Sequence, residues 1–417
     1  MSETYGSTKP GYKGKVLTAV AATILALLFW AYRAPRFGFT VGAPLPRGQT
    51  LPQVFDTSWD QIVLLDPDGS LWCWGSNTSP GLLEHPTDFP QRIGSPREWC
   101  SVAASYSHAL ALKTNGTLWG WGRNGWGVAT QERTHTKVLE PTRLGSDSNW
   151  AHIAVGAGHC LAVKNDGSLW AWGQNDRGQL GTGHTNNQFA FTQIGSDRDW
   201  SVISAGSFSS FALKTNGALY GWGNLDYAGK DDLLPRQLDP LPNFVAISAN
   251  DWNTLALRSD GTLWIYGVNS VAAAPAYVKT RPQVPVQVGK DTDWKCAYAG
   301  TRFFLAQKQN GTWWASGSYS GTGSISLPTP RRLPLHFDAW ALSAGFGSAT
   351  VLTRDGTLWK LSVTNDYSKF AVNSRKSKIL LNHILGAFTH TRPFNTNEVR
   401  IIPNCQKLWQ LPPPAKS

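Results

Sequence analysis

Residues 150–175 read WAHIAVGAGHCLAVKNDGSLWAWGQN. Within them, Val163-Lys164-Asn165 runs into Asp166-Gly167 and then Ser168-Leu169-Trp170-Ala171-Trp172-Gly173. Asp-Gly between alternating apolar runs is the strongest short-range signal for a β-hairpin, so two paired strands are expected to meet there. Upstream, Ile153 and Val155 mark a third short run. Gly156-Ala157-Gly158 closes it, where the missing side chains permit a tight turn.

The same unit recurs along the chain. Its turn glycine reappears as Gly69, Gly116, Gly167, Gly217, Gly261, Gly311 and Gly356, each preceded by Asp or Asn and followed two residues later by Leu or Trp. Successive markers stand 44 to 51 residues apart, the period of a repeat array. An aromatic residue lies upstream in every copy: Trp59, Trp99, Trp150, Trp200, Phe244, Trp294 and Trp340. A fourth short run precedes each aromatic from the second copy on, as in Pro141-Thr142-Arg143-Leu144-Gly145. Four strands in each of seven repeats predict an all-β fold, a seven-bladed β-propeller whose radial packing leaves only short strand edges exposed.

The remainder of the chain is organised around that body. At 417 residues and 41% hydrophobic composition, length alone suggests two or three domains. The repeat overrides this, because stacked units form one continuous array. Residues 1–15 are polar and carry Lys9, Lys13 and Lys15. Residues 16–32, VLTAVAATILALLFWAY, carry no charge and would reach roughly 26 Å as a helix, slightly short of a bilayer core. Trp30 and Tyr32 stand where interfacial aromatics belong.

Three readings fit this segment: an uncleaved signal anchor, a cleaved secretory signal and a buried soluble helix. The anchor is favoured, since Ala34 and Ala43 are each followed by proline and make poor cleavage sites. The expected orientation puts the N-terminus in the cytoplasm and the repeats outside it. Residues 33–57, rich in proline, read as an extended linker, residues 58–411 as the propeller and 412–417 as a tail. The first copy is short between Trp59 and its turn, while Val399–Ile402 and Lys407–Leu411 alternate like paired strands. The C-terminal stretch is therefore expected to complete the first blade and remove an open edge.

The repeat resembles the regulator of chromosome condensation family, in the form found in its bacterial branch. The resemblance rests on Asp166-Gly167-Ser168-Leu169-Trp170-Ala171-Trp172-Gly173-Gln174-Asn175, on Gly178-Gln179-Leu180-Gly181-Thr182-Gly183 after it and on Ala157-Gly158-His159 before it. It covers about residues 58–361 and implies the propeller fold. For function it implies either guanine-nucleotide exchange on a small GTPase or a propeller whose loops clasp another protein. The near-even spacing of the turn glycines leaves no room for the inserted wedge of the exchange factor.

Motifs of chemistry are missing. Gly317-Ser318-Tyr319-Ser320-Gly321 has tyrosine where a nucleophile elbow needs serine, and Gly229-Lys230 leads into Asp231 rather than the hydroxyl residue of a phosphate-binding loop. The five cysteines show no zinc spacing. The acid pairs Asp197/Asp199 and Asp291/Asp293 lack the glycine and glutamate of a calcium loop. His108 and His159 recur at one repeat position and read as structural. No cofactor and no enzymatic activity are expected.

Binding is expected where blades connect, because loops on a rigid scaffold commonly carry function. Arg123, Asn124, Trp126, Asn175, Arg177, Phe189, Phe191 and Tyr227 fall in such loops. Exposed aromatic anchors beside arginine suit a protein-binding face. The net charge of +11, with eight Lys or Arg against two Asp or Glu from Asp366 onward, could touch nucleic acid or anionic lipid. A backbone-tracking basic patch is not evident, which argues against nucleic acid. The sequence thus points to a membrane-tethered, non-enzymatic propeller. It would bind a protein or cell-envelope component and meet the bilayer through residues 16–32, with a small GTPase as the alternative partner.

Overall fold

The marker turn closes in the computed structural model as a three-residue hairpin loop. The N–H of Gly167 donates to the Lys164 carbonyl at 2.9 Å, that of Lys164 to the Ser168 carbonyl at 3.0 Å, and Gly167 has φ of 76°. A tight turn followed by one residue in the left-handed region is a preferred three-residue hairpin, and glycine enters that region without strain. The turn glycines Gly69, Gly116, Gly217, Gly261 and Gly311 share this conformation, with φ between 76° and 82°. The structure describes residues 55–362, apart from short connecting stretches of which 268–284 is the longest, and residues 405–410.

Seven four-stranded antiparallel sheets follow one another along the chain. Blade 1 comprises β1 (Phe55–Ser58), β2 (Gln61–Leu65), β3 (Leu71–Gly75) and β4 (Thr87–Ile93). Blade 2 comprises β5 (Trp99–Ala104), β6 (His108–Lys113), β7 (Leu118–Arg123) and β8 (Lys137–Arg143). Blade 3 comprises β9 (Trp150–Val155), β10 (His159–Lys164), β11 (Leu169–Gly173) and β12 (Gln188–Gln193). Blade 4 comprises β13 (Trp200–Ala205), β14 (Ser209–Lys214), β15 (Leu219–Gly223) and β16 (Asp232–Gln237). Blade 5 comprises β17 (Phe244–Ala249), β18 (Asn253–Arg258), β19 (Leu263–Gly267) and β20 (Val286–Gln287). Blade 6 comprises β21 (Trp294–Ala299), β22 (Phe303–Lys308), β23 (Trp313–Tyr319) and β24 (Ile325–Arg332). Blade 7 comprises β25 (Ala339–Ala344), β26 (Ser348–Thr353), β27 (Thr357–Ser362) and β28 (Cys405–Gln410).

The first strand of each blade neighbours the first strand of the next, and β1 neighbours β25, so the ring closes. The all-β propeller expected from the repeat is the fold. Between blades the core is made by the alternating second and third strands. Leu161, Leu169, Ala171 and Trp222 are fully buried in one such layer and pack with Trp200 and Ile203. Burying each aliphatic side chain contributes roughly 1.5–3 kcal/mol.

The turn glycines also join the blades. The N–H of Trp150 donates to the Gly116 carbonyl at 3.1 Å, that of Trp200 to Gly167 at 3.2 Å and that of Trp294 to Gly261 at 3.1 Å. So close is this approach that a Cβ on Gly167 would collide with the Arg198 carbonyl of the following loop. The marker is glycine for two reasons at once, its backbone conformation and the next blade pressed against it.

In blades 2 to 6 the opening aromatic packs edge-to-face on an aromatic of its own third strand: Trp99–Trp119, Trp150–Trp170, Trp200–Tyr220, Phe244–Trp264 and Trp294–Trp314. A cation from the second strand lies over both rings: Lys113, Lys164, Lys214, Arg258 or Lys308. An acid in the preceding loop holds that cation. The acid pairs singled out in the sequence belong here, with Lys214 on Asp197 and Asp199 and Lys308 on Asp291 and Asp293, all at 2.7–3.1 Å. Burial opposes the charge of Lys308, but hydrogen bonds and attraction from the two aspartates outweigh it and raise its pKa above the ordinary lysine value.

The first and last blades correct two expectations. Blade 1 obtains its inner strand from β1, inside the stretch read as linker, so the propeller starts at Phe55 rather than Ser58. Trp59 falls between β1 and β2, whereas Trp150 opens the first strand of its blade. The first copy looked short because its inner strand lacks the aromatic marker. The C-terminal strand β28 pairs with β27 at the outer edge of blade 7, from Thr357 opposite Gln410 to Leu361 opposite Cys405. The tail therefore completes the last blade and not the first. Residues 1–54, with the segment 16–32, lie outside the described residues, and among those described no helix is long and apolar enough to cross a membrane.

Candidate binding face

Strand direction divides the loops between two faces. Hairpin turns such as Asn165–Gly167 and the loops that lead from one blade to the next share one face. The corners between first and second strands, such as Gly156–Gly158, share the other with the long loops between third and fourth strands. Of the sequence-predicted binding residues, Asn124, Trp126, Asn175 and Arg177 belong to these long loops, Arg123 ends β7, and Phe189 and Phe191 lie in β12.

Asn124 and Asn175 end equivalent third strands and are fully buried. The Asn175 Nδ2 donates to Thr182 Oγ1 and to the carbonyls of His184 and Asn186 at 2.7–3.1 Å, and its Oδ1 accepts from the Leu180 N–H at 2.9 Å. Asn124 repeats the pattern with Thr130, Glu132, Thr134 and Ala129. Every polar atom of these amides is spent inside its own loop. They shape the loops at their bases.

The loop backbone then caps the next blade. Buried Trp172 donates its Nε1 to the Val128 carbonyl at 3.2 Å, and Trp222 to the Gln179 carbonyl at 2.9 Å. Phe191 packs edge-to-face on Trp150 and Trp172 at 4.9 and 4.8 Å. Phe189 covers Gly127. Both phenylalanines serve packing between blades. Tyr227 lies outside the described residues.

Three predicted residues remain at the surface. Trp126 is 37% exposed and lies on the Gly158 corner of the neighbouring blade, Cδ1 standing 3.0 Å from where a Cβ would be. Arg123 is exposed at the end of β7. Arg177 is exposed and faces Asp231 at 3.8 Å. Sequence reasoning missed Leu139 and Leu234, which are 41% and 61% exposed on the outer strands of blades 2 and 4. Their alternation places them in ordinary strands, and no local signal shows that nothing packs on them.

His108 and His159 lie beneath this face as interblade wedges. The Ser210 hydroxyl donates to the Gln179 carbonyl at 2.7 Å, so its oxygen accepts from His159 Nε2–H at 2.9 Å. Nδ1 of His159 is then a buried acceptor without a partner. His108 places Nε2 3.4 Å from the Cys160 sulfur of the next blade. Burial pushes both imidazoles down to about 3, with mutual repulsion adding to the effect at His159. Burial likewise raises Cys160 well above, and Cys73 to about 12, the ordinary thiol range. Cys73, Cys100, Cys160 and Cys296 are free.

The periodic turn, the buried loop asparagines and the histidine wedge together define the repeat, and family models agree. Models described as regulator of chromosome condensation repeat match residues 115–163 and 166–213, and in a second version 99–127, 150–179 and 200–228. Blades 2 to 4 thus match the regulator of chromosome condensation repeat. The chain is 28% identical over 309 residues to the ultraviolet-B receptor UVR8 of Arabidopsis thaliana, covering 70% of this chain and 60% of the receptor. It is 30% identical over 131 residues to the Homo sapiens E3 ubiquitin-protein ligase HERC2, covering 30% of this chain and 3% of the ligase. The chain thus spans less than two thirds of either relative. In fold it is similar to Saccharomyces cerevisiae Prp20p, with TM-score 0.62 at 20% identity over 75% of this chain and 83% of that one; that structure was described with its binding to Gsp1p and histones. It is equally similar to human WBSCR16, with TM-score 0.62 at 17% identity over 72% of this chain and 86% of the other.

Proposed function

We propose that this regulator of chromosome condensation repeat propeller is a non-enzymatic scaffold, tethered to a membrane by residues 16–32 with its blades outside the cytoplasm, that clasps another protein or envelope component. The long-loop face is the binding surface. One observation carries the reading: the loops of blades 2 and 3 are locked at their bases by buried Asn124 and Asn175, while Trp126 and Arg177 within them and Arg123 at the end of β7 stand at the surface. Rigid loops presenting an aromatic and arginine lose little entropy on binding, and these are the residue types that anchor interfaces. Leu139 and Leu234 extend the apolar area on the neighbouring outer strands.

The test is site-specific photocrosslinking of the full-length protein in its native membrane. A crosslinker at position 126 or 177 is expected to capture a protein partner, and one at position 241 is not. Leu241 is 59% exposed in a loop on the opposite face and so serves as the control. Capture from position 241 alone would overturn the choice of face. Capture of a small cytosolic GTPase, with accelerated nucleotide release from it, would replace the scaffold reading by exchange.

A further inference from the structure

The fourth strand of every blade places one residue opposite the aromatic of the third strand, near the hairpin-turn face. Arg92 stands opposite Trp72, Arg143 opposite Trp119, Gln193 opposite Trp170, Gln237 opposite Tyr220, Gln287 opposite Trp264 and Arg332 opposite Trp314. In blade 7, Lys407 takes the position opposite Trp359. Blades 3, 4 and 5 are neutral here. Blades 6, 7, 1 and 2, contiguous through the closure of the ring, are all basic.

The structural duty of this position does not require charge. Gln193 donates to the Gly195 carbonyl at 2.9 Å and Gln237 to the Asp239 carbonyl at 2.8 Å, holding the loop that leads to the next blade. Arg143 performs the same task on the Ser146 carbonyl at 2.7 Å. Glutamine suffices in one half of the ring, so the arginine charge in the other half is surplus to folding. Arg177, Arg198, Arg236 and Arg258 each face an aspartate. Arg92, Arg143, Arg331 and Arg332 are exposed and join no ion pair among the described residues.

On the same face the loop acids of both halves are held by second-strand cations, Asp197 and Asp199 before blade 4, Asp239 before blade 5, Asp291 and Asp293 before blade 6 and Glu98 before blade 2, which leaves the arginines of the arc as the unbalanced charge. The hairpin-turn face is therefore electrically lopsided. Its positive side has a second property. β1 runs antiparallel to β2, with Phe55 opposite Leu64, so the chain enters blade 1 from this face, next to blade 7. The point of attachment of residues 1–54 lies in the middle of the basic arc.

We propose that the basic arc of blades 6, 7, 1 and 2 docks on the anionic headgroups of a lipid bilayer, turning the hairpin-turn face to the membrane and the long-loop face away. This rests on the tethered reading for choosing lipid over another polyanion. A tether of the 22 residues 33–54 reaches at most about 73–79 Å when fully extended. It keeps the arc at high effective concentration near the surface, so weak contacts suffice to orient the body. Each cation close to an anionic leaflet strengthens binding about fivefold, and salt weakens it beyond a Debye length of about 3 Å at 1 M.

The experiment uses the full chain with vesicles of phosphatidylcholine containing 30 mol% or no phosphatidylglycerol, a fraction of the lipid bearing a headgroup photocrosslinker. Adducts are mapped by mass spectrometry, and flotation reports attachment separately. On anionic vesicles, adducts are expected on peptides holding Arg92, Arg143 and Arg331–Arg332. They should fall at least tenfold without phosphatidylglycerol, in 1 M salt, or in the variant R92Q/R143Q/R331Q/R332Q, which borrows the glutamine of blades 3 to 5. Peptides of the Arg177 loop should stay unlabelled. Equal labelling of both faces, or labelling indifferent to anionic lipid or to the four substitutions, would overturn the proposal. So would release of these adducts by duplex DNA, which would give the arc to nucleic acid. Flotation on neutral vesicles in 1 M salt reads the anchor alone, so its failure refutes tethering, and failure to float on anionic vesicles at low salt refutes docking.

Discussion

Acid should loosen this propeller through two histidines. His108 and His159 have folded pKa values near 3, depressed by burial, against about 6.5 in the unfolded chain. A depressed folded value means that the stability contributed by the neutral ring is fully present above pH 6.5 and is lost as pH falls towards 3. At pH 5 the folded rings are still neutral while the unfolded ones are protonated. Each histidine then costs about 2 kcal/mol relative to pH 8, and both together about 4 kcal/mol. For His159 the geometry supplies the reason: Nε2–H is committed to Ser210, and a proton on Nδ1 would find no acceptor in its buried position. The assay is urea denaturation of the full-length chain at pH 8 and pH 5, in wild type, His159→Gln and the double variant with His108→Gln. Both variants lose stability at pH 8, since a wedge between blades is altered. The loss between pH 8 and pH 5 should nevertheless shrink by about 2 kcal/mol in the single variant and about 4 kcal/mol in the double. Carboxylates titrate alike in all three proteins, so they cancel. A pH 8-to-5 loss identical in wild type and double variant would show that these rings are not held neutral, and the wedge reading would fail.

Three further outcomes follow from the packing. Gly167→Ala puts a Cβ at φ of 76° and into the Arg198 carbonyl, and should lower stability by at least about 2 kcal/mol in denaturant titration, far more than alanine at an open glycine such as Gly195. Asn175→Ala strands the Leu180 N–H and three loop acceptors, and should cost about 2–4 kcal/mol while opening residues 176–187 to limited proteolysis. Lys308→Met leaves Asp291 and Asp293 facing each other without their cation and uncovers two indole rings. It should cost about 1–2 kcal/mol in 0.1 M salt and less in 1 M, read from the same titration.

Signals confined to a few neighbouring residues were legible. An Asp-Gly or Asn-Gly step between alternating apolar runs favours a left-handed glycine, and all six described markers turn that way. The loop residues were harder. Asn124 and Trp126 stand two positions apart in similar polar surroundings, yet one is fully buried and the other 37% exposed. What separates them is the path of the loop across the next blade, which no window of sequence contains. Phe191 likewise reads as a loop aromatic until Trp150 and Trp172 are seen against it. The acid pairs read as turns lacking the rest of a calcium loop, and only the fold shows the second-strand lysine that they hold.

By itself, the sequence determined the repeat, the turn at each corner and the all-β class, because hairpin closure depends on φ and on alternation over fewer than ten residues. Only the tertiary structure decided that Phe55–Ser58 starts the ring and that Cys405–Gln410 ends it on the outside of blade 7. Strand pairing at a closure joins residues far apart in the chain, and many short alternating segments satisfy it equally in sequence. Shape and available edges choose among them. The basic arc has the same origin: its arginines are spread over more than two hundred residues and become neighbours only when blade 7 meets blade 1.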